Sequence, residues 1–235
     1  MNNFSIIPVI TLDGLAGSGK STVGRALAAR LGAVFFSSGV LYRTVGVWAR
    51  RRGIDIFSQS DVENAVMGVQ MALEINDTLF TQFSIEGEGI LDIYGPDASE
   101  AASAVAQYQG VRTRLFEEQR SLIKKCRELF KDNVPHILLV AEGRDMGTVI
   151  YADALLKVFL EADEEDRLRK RTAQLASILS KDDAQRELKD RDVRDSTREV
   201  APTRPAEGAL RIFNDFSGVE GVVEVILKSL HCLPL

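Results

Sequence analysis

Cysteine is nearly absent from this chain, and its scarcity removes two classes of protein at once. Cys126 and Cys232 are the only two thiols; they frame no disulfide scaffold and lack the paired spacing of a metal site. A reducing compartment is expected. Excess positive charge is missing too: 29 Lys and Arg stand against 34 Asp and Glu, for a formal net charge of −5. That balance argues against coating nucleic acid or an anionic membrane, so any positive field must be local. No apolar run approaches the roughly 18 residues of a spanning helix, and the opening MNNFSIIPVI lacks the basic start of a secretory leader. The expectation is a cytoplasmic protein with no nucleic-acid partner and no membrane partner.

The 235 residues have room for one α/β domain carrying an insertion, not for two unrelated folds. Apolar runs at 6–13, 34–37, 137–141, 155–160 and 210–213 read as strands. Amphipathic stretches at 20–31, 41–52, 111–131, 164–179, 183–194 and 219–230 read as helices between them. This alternation predicts an α/β fold, a parallel sheet covered by helices. Between 60 and 102 the pattern changes to short alternating runs at 73–75, 80–86 and 90–94, separated by Asn76-Asp77 and Gly87-Glu88-Gly89. They predict a small antiparallel meander set over a ligand cleft.

The strongest local signal is Gly14-Leu15-Ala16-Gly17-Ser18-Gly19-Lys20-Ser21, which follows the first strand and opens the first helix. It fits G-x-x-x-x-G-K-[ST], a cradle for nucleotide phosphates. The glycines let the backbone turn its N–H groups toward phosphate oxygens. Lys20 would place its charge on the β- and γ-phosphates, Ser21 would offer its hydroxyl to Mg²⁺, and the helix N-terminus, with Thr22 in its first turn, would face the anion.

Three further segments carry charge to strand ends or helix faces. Gly143-Arg144-Asp145-Met146-Gly147-Thr148 follows the strand at 137–141, where open α/β sheets place ligands. Ser37-Ser38-Gly39-Val40-Leu41-Tyr42-Arg43 leaves the strand at 34–37; Ser38 suits an N-cap, and Arg43, a turn on, could grip a phosphate as a fork. Arg191, Asp195 and Arg198 share one helical face if the helix persists that far. Upstream, Asp163/Arg167, Glu165/Arg169 and Asp166/Lys170 are acid-first i, i+4 pairs, leaving Arg171 without such a partner. Arg167 and Arg171 are expected to face phosphate as a pair.

Taken together, the P-loop, Ser38-Gly39…Tyr42-Arg43, the intact Gly143–Thr148 run and Arg191-Asp192…Arg194-Asp195…Arg198 resemble the bacterial cytidylate kinases over nearly the whole chain. The resemblance implies a nucleoside monophosphate kinase-like fold acting as a monomer, with ATP and Mg²⁺ as cofactors and CMP and dCMP as acceptors. It implies a core of 1–59 and 103–235 with a lid near 163–182, and an inserted monophosphate-binding subdomain at 60–102. Ser103, Arg112 and Asp145 look like the cytosine-reading set; Arg43 and Arg144 are similar to the phosphate-gripping arginines; Arg191, Asp195 and Arg198 resemble the group around sugar and phosphate. Ser38, Tyr42 and Gly143 join the substrate pocket, and Lys20, Arg144, Arg167 and Arg171 carry the catalytic assignment. Ser37 and Glu142 depart from the family pattern, which commonly has Asp at both positions. A GTPase-type switch would need an N-K-x-D guanine reader, and the chain has none.

Overall fold

β1 (Ile7–Asp13) is buried along almost its whole length, as a strand must be when helices cover both faces of its sheet. The computed structural model describes residues 7–90, 92–131, 135–175, 180–214 and 218–232. Its main sheet has five strands in the order β2 (Val34–Ser37), β6 (Leu139–Glu142), β1, β7 (Ala154–Glu161), β8 (Leu210–Phe213), every pairing parallel. The predicted strand at 6–13 is found from Ile7; its first residue lies outside the described residues.

Strand periodicity divides the core in two. Ile7 and Val9 of β1 face a cluster with Leu41, Val45 and Trp48 of α2 (Ser38–Arg51) and Leu115 and Leu122 of α5 (Gln109–Leu129). Ile10 and Leu12 face Val23 and Leu27 of α1 (Lys20–Leu31) and Val222, Val223 and Ile226 of α8 (Gly218–His231). Each such fully buried aliphatic side chain contributes about 1.5–3 kcal/mol. Thr11 and Asp13 continue the first face, and Asp13 is thereby a carboxylate in the protein interior.

The second sheet is antiparallel, β3 (Met71–Ile75), β4 (Thr81–Ile85) and β5 (Glu88–Gly89). The expected third strand at 90–94 is not one: residues 90 and 92–94 are irregular, and Leu91 lies outside the described residues. Glu86 and Gly87 take φ of 55° and 79°, the double positive φ that matches a two-residue hairpin to strand twist. The chain therefore turns early and pairs again at Glu88. Two helices at the ends of the expected 60–102 insert are additional, α3 (Gln59–Met67) and α4 (Pro96–Val105), each running past its boundary; Pro96 opens the latter at a first-turn position where its missing N–H costs nothing. The insert is fastened to the core where Phe35 N–H donates to Leu79 O at 2.8 Å and the Arg25 guanidinium covers the Phe35 and Phe80 rings, 5.2 Å from each centroid.

Two more helices follow, α6 (Glu164–Leu175) and α7 (Lys181–Thr197). Of the predicted helix at 164–179, residues 176–179 lie outside the described residues. α7 is longer than the expected 183–194, which brings Asp195 onto the helix and leaves Arg198 at its C-cap. Among the described residues, no helix is long and apolar enough to cross a membrane.

Candidate active site

Because the strands run parallel, the loops leaving β1, β2 and β6 emerge along one edge of the sheet. A cleft of about 890 Å³ opens there, bounded by the P-loop, the start of α2, the Gly143–Asp145 loop, α4 and α7. That is within the range of small-molecule sites. Its walls carry more cations than carboxylates: Lys20, Arg43, Arg144, Arg171, Arg191 and Arg198, with Arg25, Arg169 and Lys170, are set against Glu142, Asp145, Asp166 and Asp195. A chain of net negative charge has concentrated its positive field in one place.

At the P-loop end, Gly14 has φ +148°, and a Cβ there would lie 2.2 Å from Leu160 O; only glycine lets the loop start this close to β7. Lys20 is buried, and its Nζ donates to Leu15 O at 2.6 Å and Ser18 Oγ at 3.2 Å. Burial first, and then the Arg144 charge, pushes its pKa well below the ordinary lysine value. An anion in the cleft would reverse that pressure. Ser21 Oγ donates to Glu142 Oε1 at 3.0 Å, and Ser37 Oγ donates to the same oxygen. No group of three or more His, Cys, Asp or Glu is placed to hold a metal among the described residues. One carboxylate and two hydroxyls are hard oxygen donors that suit Mg²⁺ arriving with nucleotide phosphates, and are too few to cage it alone.

The far end is a buried polar network. Arg112 Nη2 pairs with Asp145 Oδ2, Arg112 Nη1 donates to Ala106 O at 3.2 Å, and the guanidinium lies 5.8 Å from the Tyr42 ring centroid. Arg198 Nη2 stands 3.8 Å from Asp145 Oδ1. Ser103 Oγ donates to Asp195 Oδ1 at 3.4 Å, while Arg144 Nε donates to Asp195 Oδ2 at 2.8 Å. Burial works to raise the Asp195 pKa, but Arg144 and Arg191 outweigh it and hold the carboxylate below its ordinary range. Arg191 itself is pushed down to about 10 by burial and by Arg144. Nε of Arg43 and of Arg191 is buried without a hydrogen-bond partner, a cost that an anionic ligand would remove.

Of the candidate residues, Ala16, Gly17, Gly19, Lys20, Ser21, Thr22, Ser38, Tyr42, Arg43, Ser103, Gly143, Arg144, Asp145, Arg171, Arg191, Asp195 and Arg198 all line this cleft. Arg112 stands behind Asp145. Gly14, Leu15 and Ser18 form the outer turn of the P-loop, the last two lining a separate cavity of about 630 Å³. Arg167 lines that second cavity and not the cleft, so the expected phosphate-facing pair with Arg171 is not formed. The local ion pairs expected for Arg167 and Arg169 also give way. Arg167 is buried and pairs with Asp192 of α7 instead of Asp163, because an inward-facing cation needs a partner from the helix packed on it. Arg169 pairs with Asp166 at 2.7 Å instead of Glu165. Arg171 Nε and Nη2 donate to the two Glu187 carboxylate oxygens at 2.8 Å each, and Nη2 also to Ser99 Oγ at 3.0 Å.

Sequence reasoning passed over Asp13, Asp192 and Tyr94. Asp13 accepts the Met146 and Gly147 N–H groups at 2.9 and 2.7 Å, tying the Gly143–Asp145 loop to β1. Asp192 stood inside the quoted Arg191–Arg198 run, whose density of charge was its signal. Tyr94 lies under the Arg43 guanidinium, 5.8 Å away.

Comparison with known proteins agrees with the motifs. A family model described as cytidylate kinase matches residues 10–232. A protein named cytidylate kinase from Solibacter usitatus (strain Ellin6076) is 33% identical over 226 residues, covering 94% of this chain and 90% of that protein. One of the same name from Pseudomonas paraeruginosa (strain DSM 24068 / PA7) is 37% identical over 232 residues, covering 96% and 95%. Among solved structures, an uncharacterized protein from Eubacterium ventriosum ATCC 27560 aligns at a TM-score of 0.52 with 13% identity, covering 97% of this chain and 100% of that one. That likeness is one of fold alone.

Proposed function

Because the chain belongs to the cytidylate kinase family, we infer that it transfers the γ-phosphoryl group of ATP to the 5′-phosphate of CMP or dCMP, giving ADP and the nucleoside diphosphate. The observation that carries this reading is the single cleft with a P-loop lysine at one end and the buried Ser103, Arg112 and Asp145 set at the other. A metabolite kinase with a simple hydroxyl acceptor has no use for such a second end.

The acceptor is a phosphate monoester whose second pKa is about 6, so it is already a nucleophile and needs no general base. What the chain must do is hold two anions in line and offset the charge of the transferring group. We assign Lys20 and the P-loop amides, from Gly14 through Thr22, to the donor. Arg43, Arg144 and Arg198 take the acceptor phosphate, with Ser38, Tyr42 and Gly143 shaping its pocket. Ser103, Arg112 and Asp145 read the base, Arg191 and Asp195 orient the sugar, and Arg171 reaches the transferring group on closure. Mg²⁺ would be held by the Ser21 hydroxyl with the Glu142 carboxylate, and would supply charge neutralisation on the donor phosphates.

We take 60–102 as the monophosphate-binding subdomain and the region near 163–182 as a lid, the two moving over the core of 1–59 and 103–235 and excluding water that would compete for the phosphoryl group. The same reading makes the protein a cytoplasmic monomer serving small nucleotides, with neither nucleic acid nor membrane as partner; its net charge of −5 supports this. An assay of ADP release with CMP, dCMP, UMP, AMP or no acceptor tests the assignment. CMP and dCMP should turn over fastest. Equal or faster release with AMP, or with water alone, would reject it.

A further inference from the structure

Ala16 sits at the crown of the P-loop, and two other elements hold its backbone from behind. Asp192 of α7 accepts the Ala16 N–H at 3.3 Å through Oδ1. Through Oδ2 it accepts from Arg167 Nη1, and that same nitrogen donates to Ala16 O at 3.2 Å. Three residues from three elements thus close a ring of hydrogen bonds. The next residue tightens it: Gly17 has φ +74°, and a Cβ there would lie 3.0–3.2 Å from the Arg167 backbone and Cβ. The first turn of α6 therefore rests directly on the phosphate cradle. The Asp192 and Arg167 side chains are only 15% and 9% exposed, so water screens the pair weakly.

We propose that Asp192 is a positioning residue for the phosphoryl donor: holding the Ala16 N–H directly and the Ala16 carbonyl through Arg167, it fixes the Ala16–Gly17 turn of the P-loop and seats the first turn of α6 on it. This rests on the ATP-dependent reading of the P-loop above. The chemistry follows from the ring. The cradle works by aiming several N–H groups at one anion, and a turn free to rotate would aim them less well. Arg167 has its guanidinium tied behind the loop, and its Nε is buried without a partner. Its charge is therefore held behind the phosphate cradle, outside the cleft, and Asp192 is what holds it. Asp195, three residues on, faces the opposite end of the cleft, so one helix positions donor and acceptor separately.

The test separates donor from acceptor. Asp192→Ala should weaken binding of a fluorescent ATP analogue, measured without any acceptor, by about tenfold, with the KM for ATP rising in parallel and the KM for CMP staying within twofold. Asp192→Asn keeps an oxygen acceptor and should fall between wild type and Asp192→Ala. Because Asp192 and Arg167 close one ring on Ala16, and removing either opens it, Asp192→Ala combined with Arg167→Ala should bind ATP no worse than the weaker single variant. Losses that multiply in the double variant, ATP binding within twofold of wild type in Asp192→Ala, or an equal rise in both KM values would overturn the proposal. If Asp192→Ala does not fold, Asp192→Asn is read against the same limits. Wild-type protein that binds no ATP analogue would instead refute the reading on which the proposal rests, and a mistaken acceptor would leave the binding test intact.

Discussion

Arg144 and Asp195 meet at 2.8 Å across the acceptor end of the cleft, Nε to Oδ2, joining the loop after β6 to the last turns of α7. The same carboxylate accepts from Ser103 at 3.4 Å and stands 3.8 Å from Arg191 Nε, so one aspartate organises three candidate substrate residues. Asp195→Ala should lower kcat/KM for CMP at least tenfold, the ~1.4 kcal/mol of a lost charge-assisted hydrogen bond, and affect CMP and dCMP unequally. Steady-state kinetics with both nucleotides at moderate salt check this. If neither changes, the pair is only a structural tie.

Lys20→Ala should abolish most turnover while leaving the fold in place. Among the described residues the ammonium donates to Leu15 O and Ser18 Oγ, and its pKa is depressed by burial and by Arg144, so removing it relieves the empty site while disabling the loaded one. The expected loss is about 10²–10³ in kcat. Thermal melting of the variant should match or exceed wild type; near-native activity in a folded variant would remove Lys20 from the mechanism.

The base-reading set should betray itself through selectivity. Ser103→Ala, Arg112→Met and Asp145→Ala are each expected to reduce the CMP:UMP ratio of kcat/KM more than they weaken ATP binding, since cytosine and uracil differ in the polarity of their hydrogen-bonding edges. Arg112→Met also leaves Asp145 buried with, among the described residues, Arg198 as its remaining cationic partner at 3.8 Å, and breaking such a pair costs about 3–5 kcal/mol. Its melting temperature should therefore fall well below that of Ser103→Ala. Equal losses for CMP and UMP in all three variants would mean that specificity is read elsewhere.

What the sequence made legible was the part with local causes. The P-loop announces itself because its glycines are sterically required, as at Gly14, and the strands of the main sheet show as apolar runs that only a doubly covered sheet explains, although their order in the sheet is not written in those runs. The insert is half legible: the alternation of β3 and β4 is plain, but α4 reads PDASEAASAV, a short stretch of small residues, opened by a proline, beside a meander. Partner choice for arginines was the main loss. Spacing rules see i, i+4 neighbours, whereas Arg167 and Arg171 turn inward and find Asp192 and Glu187 on another helix, 25 and 16 residues away. Nothing in the run Met146–Ile150 signals the π-helical turn formed there, in which Tyr151 N–H reaches back to Met146 O at 2.7 Å.

Asp13 should give the fold a pH dependence of unusual sign for a carboxylate. Burial raises its pKa from 3.8 to about 7, against the lowering effect of the Gly147 and Met146 N–H groups it accepts. In the unfolded chain the group ionises near its ordinary value, so between about pH 4 and 7 the folded state binds the extra proton. Stability contributed by that proton is complete below pH 4 and is lost as pH rises through 7, the reverse of an aspartate stabilised as an anion. Asp13→Asn removes this titration. Urea midpoints followed from pH 4 to 8 should therefore show wild type losing stability relative to the variant as pH rises, with the change complete near pH 8. The same two hydrogen bonds anchor the far end of the Gly143–Asp145 loop, whose near end is held by Gly143 N–H on Leu12 O, so the KM for CMP in Asp13→Asn should rise at every pH, separating the loop's anchoring from the proton's contribution. Parallel stability profiles for the two proteins would show that Asp13 is already ionised in the fold and that the Met146 and Gly147 amides outweigh its burial.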